Sequence, residues 1–295
     1  MSEQAIKKIL ITGANGFIGG SLMRYYQNQG QDVVGVDLVG NGDDIVEGDI
    51  SQPDSISKLL IESDVIIHTA ALVSNAMQDS DMWRVNVLAT RNLIQAAKEH
   101  SVRRFVQISS IVAYGNSAKG EIDETHPVHA DGGSYVLTKL ASEHVVLSEQ
   151  ACDDIEVVII RPGDAYGPGS RPWIIAPLEA IAKNQFMLPE KGEGFFRPIY
   201  IDDLVRGIAM ASRHPDAAGE IFNLSCEGYM FTKDYFTPHY QWLGKKGPLA
   251  VSTKLALRIS AMASKVADLM GNLNEASPST VKQLSTKSWF SIKKA

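Results

Sequence analysis

The sequence predicts an α/β protein: a doubly wound parallel sheet with a smaller, mostly helical C-terminal lobe. Three observations point there. Strand-like runs alternate with helical patterns over the first 160 residues, the rhythm of repeated β-α units. Ile9, Leu10 and Ile11 form a continuous apolar run, as in a strand buried on both faces. That run leads into Gly13, Gly16 and Gly19, spaced by three, and then into a helical stretch over 21–28.

The glycine stretch organises the chain. Strand, glycine turn and helix together aim free backbone N–H groups and a helix N-terminus at a phosphate. The glycines serve a tight turn, close approach to a pyrophosphate and close helix–strand packing. The spacing is G-x-x-G-x-x-G rather than G-x-G-x-x-G, and glycines near a strand end can serve only as a turn. Context adds to the signal. The second run, Val33-Val-Gly-Val-Asp37, ends in an acidic residue about 20 positions downstream, where a carboxylate meets the adenosine ribose. Asp37 could accept from both ribose hydroxyls and would repel a 2′-phosphate. No Arg or Lys lies between Asp37 and Lys58, which favours NAD over NADP. These features describe a Rossmann-type domain over about 1–165 and a substrate lobe over 166–295, with about 200–225 returning to the sheet.

The later elements follow in order. Residues 44–50 hold a short strand ending at Asp49, and 53–62 a helix with Pro53 in its first turn. A strand over 64–71 runs into small residues, and 81–100 is a long helix. Strands at 104–110 and 155–161 flank a helix at 134–150. Past Arg161 the rhythm changes: Pro and Gly cluster up to Gly169. A helix over 173–184, a strand over 195–201, a helix over 202–213 and a strand over 220–224 follow. From Thr232 helices dominate. Leu255, Ile259, Met262, Val266 and Leu269 share one face of a helix over 253–270, expected to pack on the lobe. A membrane-surface helix is the alternative.

The 295 residues are 44% hydrophobic with a net charge of −6, which suits a globular α/β core. No basic block or aromatic–basic stripe suggests a nucleic-acid partner. No secretory leader or membrane-length apolar run is evident, and a cytoplasmic protein is expected. Cys152 and Cys226 lack metal-ligand spacing, so two reduced thiols and no metal are expected.

Tyr135-Val-Leu-Thr-Lys139 carries the chemistry. Residues at i and i+4 share a helix face. A lysine beside a tyrosine is expected to lower the phenol pKa, as a neutral-pH acid/base requires. The preceding strand ends at Ser109-Ser110, at the end of a parallel sheet where ligands bind. A serine hydroxyl there could steady a substrate oxygen, or merely terminate the strand.

These segments together resemble an extended short-chain dehydrogenase/reductase of the NAD-dependent epimerase/dehydratase family. The resemblance rests on Thr12-Gly-Ala-Asn-Gly-Phe-Ile-Gly19, Gly48-Asp-Ile50, His68-Thr-Ala-Ala71, Asn86, Ser109-Ser-Ile-Val-Ala-Tyr-Gly115, Tyr135-Val-Leu-Thr-Lys139, Arg161-Pro-Gly163 and Tyr200-Ile-Asp-Asp-Leu204. It implies that Tyr135 is the acid/base, that Lys139 holds the nicotinamide ribose, and that Ser110 orients substrate. It implies cofactor contacts from Gly13, Asn15, Gly16, Phe17, Ile18, Gly19, Asp37, Asp49, Ile50, Thr69, Ala70, Ala71, Asn86, Arg161, Pro162 and Gly163. It also implies a homodimer through the helices at 81–100 and 134–150.

Within the family, the serine and histidine segments resemble the branch of 3β-hydroxysteroid dehydrogenases and dihydroflavonol reductases. The implied reaction interconverts a secondary alcohol and a ketone. A nucleotide-sugar epimerase or dehydratase is the alternative. In those enzymes an arginine gripping the diphosphate stands where this chain has Phe196, with Arg197 next door. Arg171, Phe196 and Arg197 are therefore candidate substrate residues, with Trp173, Ile174, Ile175, Phe186 and Met187 as further walls. An idle cofactor-sensing protein is a third reading, and the retained Tyr/Lys pair speaks against it.

Overall fold

The computed structural model describes residues 6–42, 44–74, 77–151, 154–270 and 277–295. Its centre is a seven-stranded, all-parallel sheet. The strands are β1 (Ile9–Thr12), β2 (Val33–Asp37), β3 (Ile45–Glu47), β4 (Val65–His68), β5 (Arg104–Ile108), β6 (Glu156–Pro162) and β7 (Ile221–Leu224), in the order β7-β6-β5-β4-β1-β2-β3. The chain starts mid-sheet, winds to one edge, and returns to wind toward the other. The reversal lies between β1 and β4, which pair in parallel from Ile9↔Val65 to Thr12↔His68. A crevice at such a reversal is where open α/β sheets bind ligands.

β1, β4 and β5 are buried throughout, because helices cover both faces. Ile9, Ile11, Val65, Ile67 and Val106 face one way, toward Leu22 of α1 (Phe17–Asn28) and Leu204 of a later helix, Ile201–Arg213. Leu10, Ile66 and Phe105 face the other way, toward Leu93 and Ile94 of a long helix and Val146 of the helix Ser134–Gln150. The period-two alternation of a strand, covered on both sides, explains runs without polar gaps.

The helices are numbered in chain order: α2 (Ser57–Glu62), α3 (Asp79–Trp83, Arg84–Ala89 and Thr90–Glu99 in succession), α4 (Ser134–Gln150), α5 (Ala176–Ala182), α6 (Ile201–Arg213), α7 (Thr232–Trp242), α8 (Thr253–Leu269) and α9 (Pro278–Gln283). The middle segment of α3 is a wide π turn. None is long and apolar enough to cross a membrane, among the described residues.

Two expectations need correction, and one strand pair is new. The strand anticipated over 195–201 is split and lies outside the main sheet. Phe195–Phe196 pairs antiparallel with Met230–Phe231, and Pro198–Tyr200 pairs parallel with Asp164–Tyr166. Between them the Arg197 N–H goes to the Asp164 carboxylate, 2.9 Å, and Pro198 has no N–H to give. A strand pair not foreseen joins Lys119–Ile122 to Lys287–Phe290 in parallel. Finally, the apolar stripe of α8 does not pack on the lobe. Ala256 and Ser260 are the buried positions, and Leu255, Ile259, Met262, Val266 and Leu269 are exposed. Small side chains let α8 approach the lobe closely, and this turns the bulky ones outward. Cys226 is a free, half-buried thiol; Cys152 lies outside the described residues.

Candidate active site

The glycine turn sits at the C-terminal end of β1. Gly13 adopts φ +69°, in the left-handed region, and a Cβ there would lie 2.7 Å from the Ala70 Cα. A Cβ at Gly19 would lie 2.2 Å from the Gly13 carbonyl oxygen. The turn is therefore pressed against Thr69 and Ala70 beyond β4. Thr69 Oγ1 donates to the Thr12 carbonyl at 2.6 Å, and this ties the two strand ends together. Gly16 is the N-cap of α1, with no side-chain cap and no acidic residue in the first turn. The first N–H groups of α1 thus lack a side-chain acceptor, as a pyrophosphate site needs. Phe17 and Ile18 pack onto the core beneath it.

Asp37 ends β2 and faces the same turn. One carboxylate oxygen accepts the Asn15 N–H at 2.9 Å, and the other accepts the Leu38 N–H at 2.8 Å. Two backbone donors fix the carboxylate and leave lone pairs for ribose hydroxyls. Asp49 Oδ1 accepts the Ser51 N–H at 2.8 Å. Ile50 is buried in the core. Ala71 is partly exposed beyond Ala70.

Ser110 and Tyr135 come together at the end of β5. Ser110 caps the short turn Ile111–Tyr114, its Oγ accepting the Val112 N–H. Its hydroxyl neighbours the Tyr135 phenol and favours its ionisation. Ser110 is partly exposed, whereas Ser109 is buried, so Ser110 is the serine that can meet a ligand. Burial pushes the Tyr135 phenol up to about 12, with the Ser110 hydroxyl opposing. This corrects the expectation that Lys139 lowers it. Lys139 Nζ instead donates to the Ile108 carbonyl at 2.9 Å. Burial pushes that ammonium down to about 8, partly countered by the Glu143 charge.

Asn86 lies in the wide turn of α3 and holds the loop after β4. Its Oδ1 accepts the Leu72 N–H at 2.8 Å, and its Nδ2 donates to the Leu72 carbonyl at 3.0 Å and to Thr138 Oγ1 at 3.1 Å. It is a fully engaged structural clamp, not a group open to a cofactor. His68 extends the network. Thr90 Oγ1 donates to the Asn86 carbonyl, so it accepts from His68 Nε2 at 2.9 Å. His68 Nδ1 then accepts from Thr12 Oγ1 at 2.7 Å. Burial, with the Lys139 charge adding to it, pushes His68 down to about 3, which keeps the ring neutral. The network links the glycine strand, the Ala70 floor and α4 through the core.

Several expected ligand residues are spent internally. Arg161 is buried and bidentate with Glu143, Nε–Oε1 2.9 Å and Nη2–Oε2 2.6 Å, with its guanidinium over the Tyr114 ring. It locks α4 to β6, and its Nη1 is buried without a hydrogen-bond partner among the described residues. Pro162 closes β6, and a Cβ at Gly163 would meet the Arg197 carbonyl oxygen at 2.5 Å, so packing accounts for that glycine. Phe196 is buried, stacked on Tyr235 with centroids 3.8 Å apart and edge-on to Trp173. Arg197 is buried against Asp164, its Nε 3.2 Å away, and its Nη1 donates to the Phe195 carbonyl and Thr286 Oγ1. Phe186 packs on Phe236 within the lobe. Arg171 alone of the three substrate candidates is free of the core, 70% exposed and 3.5 Å from Glu179. Glu143 was not singled out from the sequence; its i+4 spacing from Lys139 was the available signal.

The residues fit a dinucleotide. Gly13 closes on Ala70 with no room for a side chain, an uncapped helix start lies above it, and a fixed carboxylate stands at the end of β2. The sequence model of the "NAD dependent epimerase/dehydratase family" matches residues 9–225. The low-salt glycan biosynthesis protein Agl12 of Haloferax volcanii is 30% identical, over 73% of this chain and 76% of that one. The 3 beta-hydroxysteroid dehydrogenase/Delta 5-->4-isomerase of Mycobacterium tuberculosis is 27% identical, over 82% of this chain and 70% of its own. Among solved structures, MoeE5 in complex with UDP-glucose and NAD superimposes with a TM-score of 0.73 at 26% identity, over 83% of this chain and 84% of that one. The glycine turn, the ordered series of motifs and these likenesses agree: the chain belongs to the NAD-dependent epimerase/dehydratase family, and its cofactor is NAD.

Proposed function

We propose that the protein is an oxidoreductase interconverting a secondary alcohol and a ketone on a largely apolar small molecule. NAD, held by the glycine turn, Asp37 and the Ala70 floor, supplies the hydride acceptor or donor. Ser110 hydrogen-bonds the reacting oxygen, and Tyr135 exchanges a proton with it. A phenol pushed up to about 12 is protonated at neutral pH and set to donate to a ketone oxygen. Lys139, one turn along α4, would hold the nicotinamide ribose.

The observation that carries the substrate class is the fate of Arg197. Its charge is consumed inside the lobe by Asp164, and Phe196 beside it is buried too. A nucleotide-sugar site must neutralise a diphosphate, usually with an arginine aimed into the pocket. The likeness to a hydroxysteroid dehydrogenase supports the same reading. Exposed Arg171 supports a second reading, a nucleotide-sugar epimerase or dehydratase, because it could supply a cation from the loop after residue 169. A thermal-shift panel with NAD present separates them. Steroid, flavonoid or long-chain keto compounds should stabilise the protein. Stabilisation by UDP-, GDP- or dTDP-sugars alone would favour the second reading.

Asp37 should make NADH the tighter ligand, with NADPH weaker on the order of tenfold, which is ~1.4 kcal/mol. Fluorescence titration with each cofactor measures this, and equal or tighter NADPH binding would refute it.

The exposed Trp83 and Leu88 of α3 support a homodimer built on α3 and α4. Leu88→Arg is expected to convert a dimer mass to a monomer mass in light scattering. A monomer for the unaltered chain at micromolar concentration would refute the pairing.

A further inference from the structure

Helix α8 turns its bulky apolar side chains to solvent. Leu255, Ile259, Met262, Val266 and Leu269 are all exposed, Met262 by 70% and Leu269 by 89%. At about 100° per residue they fill one continuous arc of about 80°. Its buried positions are the small Ala256 and Ser260. Lys254, Arg258 and Lys265 occupy the arc bordering the apolar one. Between Trp242 and Ala267 the chain carries five cations, Lys245, Lys246, Lys254, Arg258 and Lys265, and no carboxylate, although its net charge is −6.

We propose that α8 is a docking surface for an anionic lipid bilayer. The helix lies in the plane of the interface with its apolar arc at the acyl boundary. Lys254, Arg258 and Lys265 reach the headgroups along its edge, their stems covering apolar surface and their charges meeting phosphate. The charge pattern selects this occupant. A second copy seated on the same face would set Lys254, Arg258 and Lys265 against their equals, with Asp268 the one carboxylate in the sequence of α8 to pair them. An anionic surface offers the opposite charge along the whole edge. The helix lies on the membrane and does not span it, since its 17 residues alternate exposed apolar, cationic and buried small positions. The proposal is independent of which reaction the active site performs.

Vesicle flotation with the full chain tests it, using phosphatidylcholine vesicles with and without phosphatidylglycerol. The protein should float with the anionic vesicles, and added salt should release it. Met262→Ser combined with Val266→Ser should lower the bound fraction roughly tenfold. Its thermal unfolding should be unchanged, because neither side chain is buried. Arg258→Gln combined with Lys265→Gln should remove the preference for phosphatidylglycerol. Absence of flotation with either vesicle, or undiminished flotation of the double-serine variant, would overturn the proposal. So would self-association in light scattering that Met262→Ser abolishes, which would assign the face to a second copy.

Discussion

Tyr135→Phe is expected to lower kcat by ~10²–10⁴-fold, the usual worth of a positioned acid/base. Phenylalanine keeps the ring that packs at the start of α4 and removes only the hydroxyl. Three consequences follow. The proton donor for the substrate oxygen is gone. Ser110 loses the neighbouring phenol hydroxyl but keeps the Val112 N–H, so the serine turn survives. The glycine turn and Asp37 lie on other elements, so NADH affinity should change little. A loss confined to kcat, with cofactor titration and melting temperature preserved, is the signature of a group acting in the transition state. Full activity of the Phe variant on an identified substrate would remove Tyr135 from the mechanism. Ser110→Ala should cost less, because it takes away a steadying hydrogen bond and leaves the proton donor.

The largest stability effect should come from Glu143. Its side chain is 1% exposed and that of Arg161 is 4%. Both hydrogen bonds between them are short and charge-assisted. Glu143→Ala leaves the guanidinium buried with only the Tyr114 face for company. Breaking a buried pair from one side typically costs ~3–5 kcal/mol. Replacing both partners, Glu143→Leu with Arg161→Met, should recover most of that, because no stranded charge remains. Urea unfolding of the two singles and the double supplies the cycle. A single-variant loss below ~1 kcal/mol would show the pair to be solvated after all. Glu143 also helps Lys139 to stay charged, so the alanine variant should bind NADH more weakly than its stability alone explains.

Much of the sheet could be read from the chain because buried parallel strands write themselves as unbroken apolar runs. β1, β2, β4 and β6 were legible for that reason, β5 less so with its buried Arg104 and Gln107, and the glycine turn because its backbone geometry excludes side chains. The lobe was harder. Lys119–Ile122 exposes Lys119 and Glu121, and Lys287–Phe290 buries a serine among its aromatics, so neither looks like a strand until its distant partner is known. Arg197 could not be placed from sequence, since only folding brings Asp164 to it. The stripe on α8 had the spacing of a packed face, and periodicity cannot say which side of a helix meets the protein. At the catalytic centre the spacing of Tyr135 and Lys139 was visible. The direction of the Tyr135 shift was not, because it depends on burial, and because Lys139 turns to the Ile108 carbonyl.

The pairing of Lys119–Ile122 with Lys287–Phe290 has a consequence for the timing of synthesis. Phe290 stacks on Tyr114, and together with Ile111, Ala118 and Ile122 it forms a small separate core. That core backs the turn that Ser110 caps. The glycine turn, Asp37 and the Ala70 floor lie within the first quarter of the chain, whereas this core awaits a residue more than half the chain further along. Contacts so distant in sequence close late. On the ribosome the cofactor cradle can therefore be complete while Ser110, the proposed catalytic serine, still lacks its support. A nascent chain would acquire affinity for NAD before it acquires activity.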